Sequence, residues 1–235
     1  MLFLRKQFAD SPILARVAPF VIFLLITFCQ GRFFDGSEYW LYLAKTLVGA
    51  WLIWEMRDAV TEMQLCLSWQ ALVVGLGVFV MWIGIDPLYP KLGELLAKVG
   101  LAKATGVEPV LWNPNVEFGQ GSAVAWFFMI MRILGMALVV PPLEEVFFRS
   151  FLYRYIAKPN FQSMPLGQFA WPPFLITSVI FGLEHHQWLA GILCGFAYQC
   201  LVIWKKRLDD AIVAHGVTNF LLGVWVVWKG DWKFW

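Results

Sequence analysis

An all-α bundle of membrane helices is the fold this sequence predicts, and three observations predict it. Of 235 residues, 60% are hydrophobic and only 14% charged, with a mean hydropathy of +0.67, whereas soluble domains are nearer 45–50% apolar and about 25% charged. Apolar stretches of about 20 residues, the length a helix needs to cross the hydrocarbon core, recur along the chain. Tryptophans gather where the last stretch ends, at Trp225, Trp228, Trp232 and Trp235, as an interfacial belt does. The length allows one compact membrane domain over residues 1–235, with about seven to eight membrane helices.

The elements follow in order. Arg5, Lys6 and Arg16 flank an apolar run from Val17 to Phe28 that outlines a signal peptide. Thr27-Phe28-Cys29-Gln30 offers no small-x-small cleavage site, so residues 12–30 are read as an uncleaved first helix. Residues 39–56 and 66–85 form the next two spans. The stretch from 86 to 120 mixes Lys91, Lys98 and Lys103 with Asp86, Glu94, Glu108 and Glu117. Its Leu92, Leu95, Leu96 and Val99 give the apolar face of an interfacial helix, and a solvated connector is the equal alternative. Residues 121–140 are the fourth span, and Pro141-Pro142 breaks it before a helix near 142–157. Such prolines free backbone carbonyls that protein or water must satisfy. Spans at 171–186 and 187–204 are joined almost without a loop, and 209–228 is the last.

Lysine and arginine set the orientation. With the N-terminus in the cytoplasm, Arg5, Lys6, Arg16, Arg57, Arg154, Lys158 and Lys205-Lys206-Arg207 all fall inside. The net charge of +2, without a basic strip interleaved with aromatics, excludes a nucleic-acid partner. Cys29, Cys66, Cys194 and Cys200 form no CxxC pair and are read as small packing residues.

Three clusters of polar residues interrupt the apolar stretches, and charge within a bilayer calls for a partner and a task. Glu144 and Glu145 point about 100° apart on a helix, so they cannot serve one ligand equally. Arg149 follows Glu145 at ion-pair spacing, which leaves Glu144 as the free carboxylate. Phe181 and His185 share a helix face, and Gly182 permits close helix approach. A neutral imidazole beside a carboxylate polarises water; Glu184 and His186 point elsewhere. His215 and Asn219 lie four apart, and two aligned donors suit a developing oxyanion. Each cluster has a plainer reading as helix-to-helix glue. His185, His186 and Glu144 are conceivable metal ligands by type, but no zinc spacing supports them.

In the order EExxxR, FxxxH, HxxxN, these motifs resemble the CPBP family of intramembrane glutamic endopeptidases, the CAAX prenyl protease-like proteins. The resemblance covers residues 121–228. The FGLEHHQW context is similar, more weakly, to the subgroup that accompanies exosortase and PEP-CTERM sorting. The resemblance implies a CAAX prenyl protease-like bundle in a bacterial inner membrane, needing neither cofactor nor metal. It implies that Glu144 is the general base, His185 its partner, and His215 and Asn219 the oxyanion donors. Glu145 and Arg149 support them. Implied partners are membrane lipids, a membrane-associated peptide or protein substrate, and exosortase components. The alternative is a non-catalytic peptide-binding, immunity or chaperone-like protein of the same fold. A proton-coupled carrier is a third reading, weakened because polar residues mark only the second half of the chain.

Overall fold

The computed structural model describes residues 2–64, 66–98, 100 and 111–235. Val99, Lys103 and Glu108 of the expected connector lie outside the described residues. The helices are α1 (Leu2–Asp10), α2 (Pro12–Cys29), α3 (Ser37–Met56), α4 (Trp69–Ile85), α5 (Leu92–Lys98), α6 (Pro114–Phe118), α7 (Ala123–Ala157), α8 (Trp171–Leu183), α9 (Trp188–Lys205) and α10 (Leu208–Lys229). Among the described residues there is no strand.

Five helical runs are long and apolar enough to cross a membrane: Pro12–Cys29, Trp69–Lys98, Ala123–Ala157, Trp188–Lys205 and Leu208–Lys229. The two other expected spans depart for physical reasons. Helix α3 has the length, at 20 residues, but carries Glu38, Lys45 and Glu55. Two of these charges turn inward, with Lys45 7% and Glu55 1% exposed. Helix α8 has 13 residues, about 20 Å, against a hydrocarbon core of about 30 Å.

Local chemistry sets the helix starts. Ser11, Ser68 and Ser122 each accept the backbone N–H three residues on, capping α2, α4 and α7. Asp209 and Asp210 sit in the first turn of α10, where the helix dipole favours negative charge. They also tie that turn to the preceding loop: Asp209 Oδ1 accepts from Gln64 N at 2.7 Å, and Ser68 Oγ donates to Asp210.

Glycines set the spacing where the site is built. A Cβ on Gly182 would stand 2.3 Å from Ile192 Cγ1, so α8 and α9 cross nearly backbone to backbone. A Cβ on Gly75 would meet Ala214 O at 2.6 Å, which seats α4 equally close to α10. The core threads these elements through Phe20, Phe148, Phe181, Tyr198 and Ala214.

Helix α7 is one run of 35 residues. The expected break at Pro141-Pro142 is instead absorbed by widening. Two π-helical stretches, Gly135–Val139 and Val146–Leu152, flank the regular turn Val140–Glu145. Such wide turns concentrate at functional sites.

A charged cluster closes one end of α7. Glu62 Oε2 lies 2.6 Å from Arg16 Nη2, and Glu62 Oε1 pairs with Arg154. Ser150 Oγ donates to Glu62 Oε1 at 3.1 Å and accepts from Arg16 Nε at 2.9 Å. This ties the loop after α3 to both α2 and α7.

Candidate active site

The site starts from the prolines. In the π register Val140 N–H donates to Gly135 O. The next partners of the Met136 and Ala137 carbonyls would be Pro141 and Pro142, which have no N–H. Helix α10 covers both carbonyls. Asn219 Nδ2 donates to Met136 O at 2.9 Å. Gly216 lets its own backbone approach Ala137 O, which a Cβ there would meet at 2.7 Å. The HxxxN motif is therefore seated on the backbone that the double proline frees.

One turn further on, the two glutamates diverge. Glu145 is fully buried. Its Oε2 lies 3.1 Å from Arg149 Nε, and its Oε1 accepts from His215 Nδ1 at 2.9 Å. Arg149 also donates to Gly195 O at 3.4 Å, a carbonyl that the close α8–α9 crossing brings within reach. Among the described residues Glu144 makes no hydrogen bond, and its Oε2 is buried without a partner.

His185 does not lie on a helix. Helix α8 ends at Leu183, and residues 184–187 turn the chain into α9. The turn is tight because the glycine crossing leaves little separation to bridge. Phe181 and His185 still meet, with His185 Nδ1 donating to Phe181 O at 2.8 Å. A carbonyl only accepts, so Nδ1 carries the proton and the neutral ring offers Nε2 as an acceptor. The same logic applies to His215: Nδ1 gives its proton to the Glu145 carboxylate, leaving Nε2 to accept or, once protonated, to donate.

One ring touches all three motifs. Phe181 lies 5.0 Å from the His185 ring and 5.9 Å from the His215 ring, and the Arg149 guanidinium carbon sits 4.3 Å from its centroid. Two residues that the motifs omit hold the imidazoles in place. Tyr198 stacks on His215 at 5.2 Å, and Trp82 meets His185 edge to face at 5.4 Å. Tyr198 donates to Thr218, which donates in turn to Gly75 O and Ala214 O. A Tyr–Gln pair inside an apolar span was the one available signal for Tyr198.

The structure thus brings together Glu145, Arg149, His215, Phe181 and His185. It joins neither Glu144 to His185 nor Asn219 to His215 by a hydrogen bond. Glu184 and His186 are exposed on the turn. Among the described residues, no three of His, Cys, Asp and Glu are placed to hold one ion.

Apolar helices that enclose two carboxylates, a guanidinium and two oriented imidazoles define a class: an integral membrane protein with a polar cluster set among its helices. The family follows from residues 125–221, which match the model described as Type II CAAX prenyl endopeptidase Rce1-like. That segment, somewhat under half of the chain, holds all three motifs and is similar to the CAAX proteases. No curated protein and no solved structure gives a match.

Proposed function

We propose that this protein is a glutamate-dependent intramembrane endopeptidase that cuts a membrane-associated peptide or protein with an activated water. The observation that carries the proposal is the unequal state of two neighbouring carboxylates. Glu145 has an ion pair with Arg149 and a hydrogen bond with His215, whereas among the described residues Glu144 has neither, and its Oε2 is buried. A buried acceptor without a donor is costly in a scaffold and useful in a site.

In this reading Glu144 takes a proton from water, which attacks the scissile carbonyl, and returns that proton to the amine nitrogen as the C–N bond breaks. The Nε2 acceptor of His185 helps orient that water. His215, protonated at Nε2 and steadied by Glu145, donates to the tetrahedral oxyanion. The second amide hydrogen of Asn219 is the other donor. Glu145 and Arg149 act by positioning. No step calls on a metal, so chelators should leave activity intact; inhibition by chelator with recovery on added zinc would refute the reading.

The deciding experiment is cleavage of a quenched peptide library by detergent-solubilised protein. Glu144→Gln keeps the shape and removes the base, so the rate should fall about 10²–10⁴-fold. Full activity in that variant would sink the proposal.

The proposed orientation places the N-terminus in the cytoplasm, with Lys158 and the Lys205-Lys206-Arg207 loop on the same side. Single cysteines at 158 and 206, in a background without the four native ones, should resist an impermeant thiol reagent on intact cells. Labelling there from outside would reverse the orientation.

A further inference from the structure

Trp82 stands on α4, outside all three motifs and outside the matched residues 125–221. Its ring meets the His185 imidazole edge to face at 5.4 Å, and the residue is 6% exposed. Its Nε1–H is buried with no hydrogen-bond partner among the described residues. A buried indole N–H normally has an acceptor, and leaving it without one is costly. Any apolar ring of that size could brace His185. The unpaired N–H is what a brace does not need.

The surroundings say which acceptor suits it. Trp82 belongs to an apolar cluster with Val78, Phe181, Ala190, Leu222 and Val226. The carboxylate one turn further along the chain is Asp86, and it is taken by Lys91 and by Lys233, the latter at 3.0 Å. An incoming carboxylate would bring a charge with nothing beside the indole to pair it. An ordered water is held by about two to four polar groups, which those apolar side chains do not supply. A neutral carbonyl needs one donor, and the indole is one.

Position ties this donor to the reaction. Helices α4 and α10 run in the same direction, since Gly75 O accepts from Thr218 Oγ1 at 2.9 Å and Phe79 meets Trp225 at 6.1 Å. His215 is therefore level with Gly75, and Trp82 lies about two turns, roughly 10 Å, further along α4. Phe181 bridges the two levels: its ring is 5.9 Å from His215 and 5.0 Å from the His185 ring that Trp82 meets. The line from His215 through Phe181 and His185 to Trp82 leads away from Glu145. A peptide whose scissile carbonyl is held at His215 covers roughly 10 Å in about three extended residues.

We propose that Trp82 is a substrate-binding residue, its indole N–H donating to a backbone carbonyl of the bound peptide about three residues from the scissile bond. This rests on the endopeptidase reading above and adds a requirement to it. A carbonyl inside an α-helix already accepts from the N–H four residues on, so the substrate is unwound where Trp82 holds it.

The test reads the indole itself, on Glu144→Gln protein carrying tryptophan labelled with nitrogen-15 in the indole, in phosphatidylcholine nanodiscs. Loss of the Trp82 resonance in Trp82→Phe and in Trp82→Tyr assigns it, so one misfolded variant does not end the experiment. The probe is a library of random-sequence hexapeptides with amidated C-termini. Adding it should move the Trp82 N–H proton downfield, as that group becomes hydrogen-bonded. Trp82→Phe keeps an aromatic ring against His185 and should weaken library binding about 2–10-fold, the net worth of one neutral hydrogen bond. A resonance that stays put at every peptide concentration overturns the proposal. So does a Trp82→Phe protein that binds as tightly as its parent, which would leave Trp82 a brace for His185. A resonance already downfield without peptide, and returned upfield by ether-linked phosphatidylcholine, overturns it too, because the acceptor would then be a lipid ester carbonyl. An active Glu144→Gln would instead refute the endopeptidase mechanism while leaving the indole result readable.

Discussion

Two charged clusters are buried on α7, and they are completed to different degrees. At one end Glu62 is shared between Arg16 and Arg154, and Ser150 bridges the remaining contacts. Two turns earlier Glu145 is joined to Arg149 and His215, though Glu145 Oε2 and Arg149 Nη1 lack hydrogen-bond partners among the described residues. Glu144 beside them has no ion pair or hydrogen bond there at all. The first cluster ties helices together and asks for nothing further. The second includes a carboxylate that folding alone leaves unsatisfied. Completeness of hydrogen bonding therefore separates scaffold from site better than the presence of charge does.

That contrast can be broken in four places. The largest effect belongs to Glu144→Gln: the rate loss stated above should come with no loss of thermal stability, since no contact is removed. A large fall in melting temperature would return Glu144 to the scaffold. Next is Arg149→Ala, which strands Glu145 in a dry setting and should cost about 3–5 kcal/mol. The readout is the yield of monodisperse protein, and normal yield and stability would show that Glu145 needs no counter-ion.

Asn219→Ala removes the donor to Met136 O, at about 1–3 kcal/mol of stability. It should also slow cleavage about 10²–10³-fold as a lost oxyanion donor. A variant that loses stability but keeps its rate would confine Asn219 to covering the proline-freed carbonyl.

The smallest effect concerns Glu62. Burial alone would push its carboxyl up, but the Arg16 and Arg154 guanidiniums hold it below the ordinary value. A carboxyl depressed in the folded state contributes stability above its unfolded pKa of about 4.3, and loses it as pH falls through the lower folded value. Unfolding measured from pH 6 downward should show that loss in the parent protein. Glu62→Gln should flatten it, and an unchanged pH profile would place the cluster's strength elsewhere.

Much of this was legible in the sequence because charge inside an apolar helix has few uses. Hydropathy located the long helices, and i,i+4 spacing gave the Glu145–Arg149 contact at 3.1 Å. Three things were not legible. Spacing cannot show that His215 reaches Glu145 across 70 residues, because that depends on how α10 crosses α7. Helical periodicity placed His185 on a helix, whereas the glycine crossing ends α8 two residues earlier. Proline chemistry suggested a break, but the backbone had a second solution in π-helical turns, with Asn219 and Gly216 covering the freed carbonyls.

The seat of α10 on the double proline also bears on how the protein is made. Helix α7 enters the membrane with Glu144, Glu145 and Arg149 aboard, and with two carbonyls that its own backbone cannot satisfy. The side chain that pairs with Glu145, and the amide and glycine that cover those carbonyls, are on α10, synthesised about 50 residues after α7. Until Leu208–Lys229 is inserted, α7 is a poor lipid-facing segment and is better held by the insertion machinery than released. A nascent chain stopped after Lys205 should therefore stay bound to that machinery or be degraded, although the spans before α10 are already complete.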